Sequence, residues 1–236
     1  MQQAAELLDH YPIKLSKYSS HYYLHQLVGK GNDVLDIGCG EGYFAETIAD
    51  GNRIFGVDML EQPRQMEVFE GYAKADLENG LKDAQEQLKG KQFDIVLLPD
   101  VLEHVRFPER LLSDCYPVLK SQGLLIVSLP NVANIAIRLS LLMGRWNYTE
   151  RGILDNTHYR FYTHATGRRL LEDNGYQIEK QITTVIPIEL VFGLPYDNPV
   201  MVFMNRILAV FTALLPNLFG MQCMFVARKK RNIEKE

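Results

Sequence analysis

The chain has 236 residues, of which 47% are apolar and 23% charged, with 25 Lys and Arg against 29 Asp and Glu for a formal charge of -4. That apolar content supports one sizeable core and excludes disordered, collagen-like and coiled-coil chains. The slightly acidic balance gives no electrostatic reason to expect a nucleic-acid partner.

From about residue 31 onward, short apolar runs alternate with helical patterns, the signature of βα units on a parallel sheet. In chain order the patterns predict helix 17–28, strand 33–37, helix 43–50, strand 53–57, helix 62–69, strand 71–75, helix 81–89, strand 93–98, helix 108–119, strand 123–129, helix 133–143, helix 164–174, strand 176–186, helix 199–215 and strand 222–227. The runs Ile95-Val-Leu-Leu98 and Leu124-Leu-Ile-Val127 do not alternate with polar residues, so they belong to strands buried on both faces. Pro108 suits a first helical position, and Gly123 and Gly175 follow helix ends.

Three cysteines, Cys39, Cys115 and Cys223, form neither a disulfide framework nor a Cys-x-x-Cys pair. The first residues lack the basic start and long apolar run of a secretory signal. A cytoplasmic protein is expected.

The segment Val34-Leu-Asp-Ile-Gly-Cys-Gly-Glu-Gly-Tyr-Phe44 carries the most information. A strand ends at Ile37, glycines follow at 38, 40 and 42, and a helix starts near Tyr43. Glycine allows the turn and a close ligand approach, while the helix start offers unpaired N–H groups. Asp58 closes the next strand, where an acid can accept both hydroxyls of a ribose. The spacing is G-x-G-x-G rather than the dinucleotide G-x-G-x-x-G, and Asp36 within the strand would repel a pyrophosphate. An ammonium-bearing, phosphate-free nucleoside such as S-adenosyl-L-methionine meets both conditions.

On these residues the chain resembles the class I S-adenosylmethionine-dependent methyltransferases. The resemblance implies an α/β, Rossmann-like three-layer sandwich with a seven-stranded, mostly parallel sheet and an antiparallel last strand. It implies that Asp36, Gly38 and Gly40 contact the methionine part and Asp58 the ribose. By the same likeness Met59 packs on the adenine, Asp76 takes its amino group, Leu77 offers a backbone N–H, and Pro99 and Asp100 line the sulfur side. Domain organisation follows: an N-terminal helical lid over 1–30, then a methyltransferase domain over 31–236 with an acceptor-covering segment at 130–163 and an apolar helix at 199–215.

A narrower likeness lies in Ser128-Leu-Pro-Asn-Val132, in Gly144-Arg-Trp-Asn-Tyr148 with Arg138, and in Gly152-Ile-Leu-Asp-Asn-Thr-His-Tyr-Arg-Phe-Tyr-Thr163. These resemble methyltransferases of cell-surface glycans and related small molecules. Asp76-Leu-Glu-Asn-Gly-Leu81 and Leu129-Pro-Asn131 are also similar to MetW-type proteins, which implies a non-catalytic, donor-binding or partner-binding module as an alternative. A nicotinamide-dependent Rossmann oxidoreductase is the second alternative.

Methyl transfer to a hydroxyl needs alignment and removal of a proton, for which a neutral histidine is suited. His104, after the fourth strand, and His158, in the covering segment, are the candidate catalytic residues. Each has a plain structural reading beside it, which for His104 is a helix-start residue bonded to backbone. His21 and His25 share a helix face but lack a third ligand nearby, so no metal site is expected. Arg138, Arg145, Arg151, Arg160, Arg168 and Arg169 suit an anionic acceptor or, equally, solvated helix faces.

The stretch 207–227 carries no charge and precedes Arg228-Lys-Lys-Arg231, yet Pro216, Asn217, Gly220 and Gln222 interrupt it, so no transmembrane span is expected. The amphipathic pattern of 199–215 predicts packing on the core, with peripheral membrane contact as the looser reading. The expected acceptor is a small molecule or glycan, in which a lipid link would make sense of such contact.

Overall fold

The computed structural model describes residues 17–188, 194 and 198–230. Residues 1–16 of the expected lid and Arg231 of the basic run lie outside them. Seven strands form one sheet in the order β3-β2-β1-β4-β5-β7-β6: β1 (Asp33–Ile37), β2 (Arg53–Asp58), β3 (Gly71–Lys74), β4 (Phe93–Pro99), β5 (Leu119–Pro130), β6 (Tyr176–Thr183) and β7 (Gln222–Lys229). The first five pair in parallel. β7 runs antiparallel to both β5 and β6, as the expected last strand should.

Helices α1 (Ser20–Val28), α2 (Tyr43–Ile48), α3 (Gln85–Leu88), α4 (Pro108–Val118), α5 (Ile135–Leu142), α6 (His164–Asp173), α7 (Pro199–Leu214) and α8 (Pro216–Phe219) complete the described elements together with three single 3-10 turns. Alternate residues of β4 enter different cores. Val96 and Leu98 join Leu111, Leu125 and Leu171, whereas Ile95 and Leu97 join Leu24, Ile54 and Ile126. A sheet with apolar layers on both faces is why the two central runs are continuously apolar.

Two expected helices are corrected. Over 62–69 only Met66–Val68 forms a 3-10 turn. The amides of Arg64 and Gln65 donate instead to the carboxylate and the carbonyl of Glu41, so the segment braces the glycine loop. Over 81–89 a 3-10 turn at Lys82–Ala84 precedes the short α3, because the Leu81 amide is taken by Asp114 at 2.9 Å. The sixth strand ends at Thr183 rather than 186, and Val185 donates to the carbonyl of Tyr18.

Candidate active site

Strand order reverses between β1 and β4, and in an open α/β sheet the ligand crevice lies outside the carboxyl ends of the strands at that point. The loop after β1 therefore occupies the switch point. Gly38, at φ 74°, donates its amide to the Val57 carbonyl at 2.7 Å. A Cβ there would lie 2.6 Å from Val101 Cγ2, so no larger residue fits. Gly42, at φ 85°, caps α2. Asp58 ends β2 beside this loop, its Oδ2 accepting the Gly40 amide at 2.8 Å and its Oδ1 the Leu60 amide at 3.1 Å. Each carboxylate oxygen retains a further lone pair.

Asp36 lies inside β1, 1% exposed, and its Oδ1 has no hydrogen-bond partner. Burial, with Asp58 adding to it, pushes this carboxyl up to about 7. An unsatisfied buried carboxylate calls for a ligand-side explanation. A cationic group set against it would satisfy the oxygen and favour the ionised form. The residues present thus fit the donor: a buried acid for an ammonium, an open glycine turn and an acid at the end of the next strand.

The other expected contacts lie at the same edge of the sheet. Met59 is 70% exposed, Asp76 is exposed with Oδ1 accepting the Glu78 amide, and Leu77 is half-buried. Asp100 follows β4 at φ 53° and is held by Ser128 Oγ, which donates to Oδ1 at 2.8 Å, and by the amide group of Gln222. Burial first and Asp36 second raise the Cys39 thiol far above the usual range, which disfavours its thiolate.

His104 and His158, 54 positions apart, meet edge to face with ring centroids 4.6 Å apart. The Tyr159 amide donates to the Glu103 carbonyl at 2.8 Å, which ties the covering segment to the turn after β4. Burial, then His104, lowers the His158 pKa, so its imidazole is neutral near pH 7. Phe161 packs against His158 and also against Trp146 and Tyr148, extending an aromatic wall away from the pair. Sequence reasoning missed Glu103, buried beside His104, and Gln222, which reaches Asp100 across 122 positions. The Glu103-His104 dipeptide was a visible signal for the first; nothing local marks the second.

Arg160, Arg168 and Arg169 are engaged with acids. Arg160 bonds Glu109 at 2.7 Å and the Arg106 carbonyl, while Arg168 and Arg169 pair with Glu172 and Asp173 on α6. They stabilise structure rather than offer a free anion site. His21 stacks on Phe44 with ring centroids 5.5 Å apart, which seats α1 on α2 beside the glycine loop.

The expected inward packing of the apolar side of 199–215 is overturned. Met201, Asn205 and Thr212 of α7 are buried, whereas Phe203, Val210, Phe211 and Leu214 face outward. Leu139, Leu141, Leu142 and Met143 of α5 and its end are exposed too. α5 starts at the same edge as the site, and the chain leaving α7 and α8 returns to it: Asn131 and Asn134, following β5, donate to the Gly220 carbonyl just before β7. Among the described residues no helix is long and apolar enough to cross a membrane.

Comparison with known proteins then settles the family. The family described as "Methyltransferase domain" matches residues 16–181. The chain belongs to this methyltransferase family. A "probable S-adenosylmethionine-dependent methyltransferase" of Mycolicibacterium smegmatis is 33% identical over 150 residues, covering 63% of this chain and 53% of that protein. A ubiquinone biosynthesis O-methyltransferase of Coxiella burnetii is 31% identical over 172 residues, covering 65% and 70% respectively. The chain thus spans about half of the first relative and just over two thirds of the second.

Among solved structures, a SAM-dependent methyltransferase from Archaeoglobus fulgidus shares the fold, with a TM-score of 0.59 and 22% identity over 89% of this chain and 92% of that one. Magnesium protoporphyrin IX methyltransferase from Synechocystis, solved with bound SAH, aligns with a TM-score of 0.53 and 18% identity over 89% and 80%. These structures share the fold, and it is membership of the methyltransferase family that removes the nicotinamide alternative.

Proposed function

We propose that this methyltransferase moves the methyl group of S-adenosylmethionine to a hydroxyl oxygen of a small acceptor, free or glycan, that carries a lipid or similarly apolar part. The observation that carries this reading is the pair of histidine rings, His104 and His158, set edge to face at the carboxyl edge of the sheet. A hydroxyl must lose its proton as it attacks the sulfonium methyl, and a neutral imidazole within reach can take it. Methyl transfer to an amine makes no such demand on a base in the attacking step. The O-methyltransferase name of the Coxiella relative supports oxygen as the atom methylated.

In this reading Asp36 faces the donor ammonium, Gly38 and Gly40 give it room, and Asp58 accepts the ribose hydroxyls. Met59, Asp76 and Leu77 take the adenine, and Pro99 and Asp100 border the sulfur. The exposed apolar side chains of α5 and α7 support an acceptor delivered at a membrane surface. An amphipathic helix lying in the headgroup region buries such a face. Anionic vesicles, rather than neutral ones, would add attraction for Arg138, Arg145 and Arg206.

The test is release of S-adenosylhomocysteine from labelled donor. Phenols, polyols and sugars are presented free and lipid-linked in phosphatidylglycerol vesicles. Turnover on a lipid-linked hydroxyl, above that on its soluble counterpart, is expected. Donor binding without turnover across the panel would instead identify a non-catalytic, MetW-like module.

A further inference from the structure

The turn after β4 and the loop that covers it form a group that donor binding does not use. Glu103 is 1% exposed, and neither of its carboxylate oxygens has a hydrogen-bond partner in another residue. A carboxylate in that position is costly unless a cation or several donors satisfy it. One ligand atom each from Glu103, His104 and His158 lies within 4.8 Å of the other two.

Both rings are held from outside the group. His158 Nδ1 donates to the Ile153 carbonyl at 3.2 Å. Thr157 Oγ1 gives its single proton to Asp155 Oδ1 at 2.6 Å, so its 3.0 Å bond with His104 Nδ1 has the ring as donor. In each imidazole the unprotonated nitrogen is therefore Nε2. A carbonyl on one ring and a carboxylate relayed through a hydroxyl on the other are the outer bonds by which proteins orient metal-binding histidines.

We propose that Glu103, His104 and His158 bind a divalent first-row transition cation. Two imidazoles and one carboxylate suit manganese, iron, cobalt or zinc better than magnesium or calcium, which favour all-oxygen sets. Three protein ligands leave positions open for water or for an acceptor oxygen. The cation's role, though not its binding, rests on the hydroxyl-acceptor reading. A hydroxyl coordinated there loses its proton to water more readily. The resulting oxygen nucleophile attacks the donor methyl, the new C–O bond forms as the C–S bond breaks, and S-adenosylhomocysteine leaves with the sulfur pair. In that state the two histidines serve as ligands and the proton leaves from the bound oxygen.

Chelator-stripped protein is titrated with manganese chloride while free Mn²⁺ is followed by electron paramagnetic resonance. Cobalt chloride, followed by visible absorption, and zinc and magnesium chlorides form parallel arms. One ion per chain is expected, with magnesium the weakest. Glu103→Gln and His158→Ala each weaken manganese binding about tenfold or more, and Thr157→Val, which leaves all three ligands in place, about tenfold. Circular dichroism identifies any variant that fails to fold, and Thr157→Val keeps the test open if Glu103→Gln does. A wild-type chain that retains none of manganese, cobalt or zinc at millimolar concentration overturns the site, as do folded variants that bind like wild type. Donor affinity on the same samples separates the two readings: donor without ion removes the site alone, and ion without donor removes the proposed function alone.

Discussion

Replacing Asp36 with asparagine should stabilise the ligand-free chain and weaken its hold on the donor. The native carboxyl sits at about 7, against an ordinary value of 3.8, so the folded protein binds this proton more tightly than the unfolded chain. For an acid raised on folding, stability is full at low pH. It declines as pH rises from about 3.8 to about 7 and is level above that. Three units at about 1.36 kcal/mol each give a cost near 4 kcal/mol at pH 8, and the same linkage gives only about 1.7 kcal/mol at pH 5.

The Asp36→Asn variant loses the charge at constant size, so its gain over wild type in urea unfolding should grow by about 2.5 kcal/mol between pH 5 and pH 8. Loss of one charge-assisted bond to the donor ammonium should cost about 2 kcal/mol, or roughly 30-fold in affinity, by calorimetry. Donor binding by wild type should also release a proton below pH 7, while binding by the variant should not. A variant whose stability tracks wild type at both pH values, or that keeps full donor affinity, would refute the reasoning.

His104→Ala and His158→Ala should lower kcat by about 10²-fold or more while donor affinity stays within about twofold. Gly167→Ala places a Cβ 2.9 Å from Phe225 and 3.0 Å from Leu129. Overpacking at about 1–3 kcal/mol outweighs the helix propensity gained, for a net loss of about 1 kcal/mol in urea unfolding. Asn131→Ala strips the Asn217 carbonyl of its side-chain donor and the Ala133 amide of its acceptor. A loss of about 2 kcal/mol is expected by the same assay. Phe203→Ser with Val210→Ser should reduce co-sedimentation with phosphatidylglycerol vesicles, while stability stays within about 0.5 kcal/mol because both side chains are exposed.

The sheet and the glycine turn were legible because their signals are local. Continuous apolar runs at 95–98 and 124–127 report burial on two faces, and glycines at 38, 40 and 42 with acids at 36 and 58 report a turn at a strand end. Residues 62–69 misled for the converse reason: their amides are spent on Glu41, a partner in another loop that no helical period can show. The outward face of α7 misled in a different way. Its apolar stripe was visible, but which side meets the core depends on neighbours distant in the chain.

The amino-acid order alone thus determined the βα succession, the glycine turn after β1 and the acids at 36 and 58, since turn stereochemistry and strand burial act over a few residues. Tertiary structure alone decided which side chains meet at the turn after β4. Glu103 and His158 are 55 positions apart, and they share a site because the Tyr159 amide closes the covering segment onto the Glu103 carbonyl. Hydrogen bonds of that kind are set by where the chain returns in space, which no spacing along the sequence encodes.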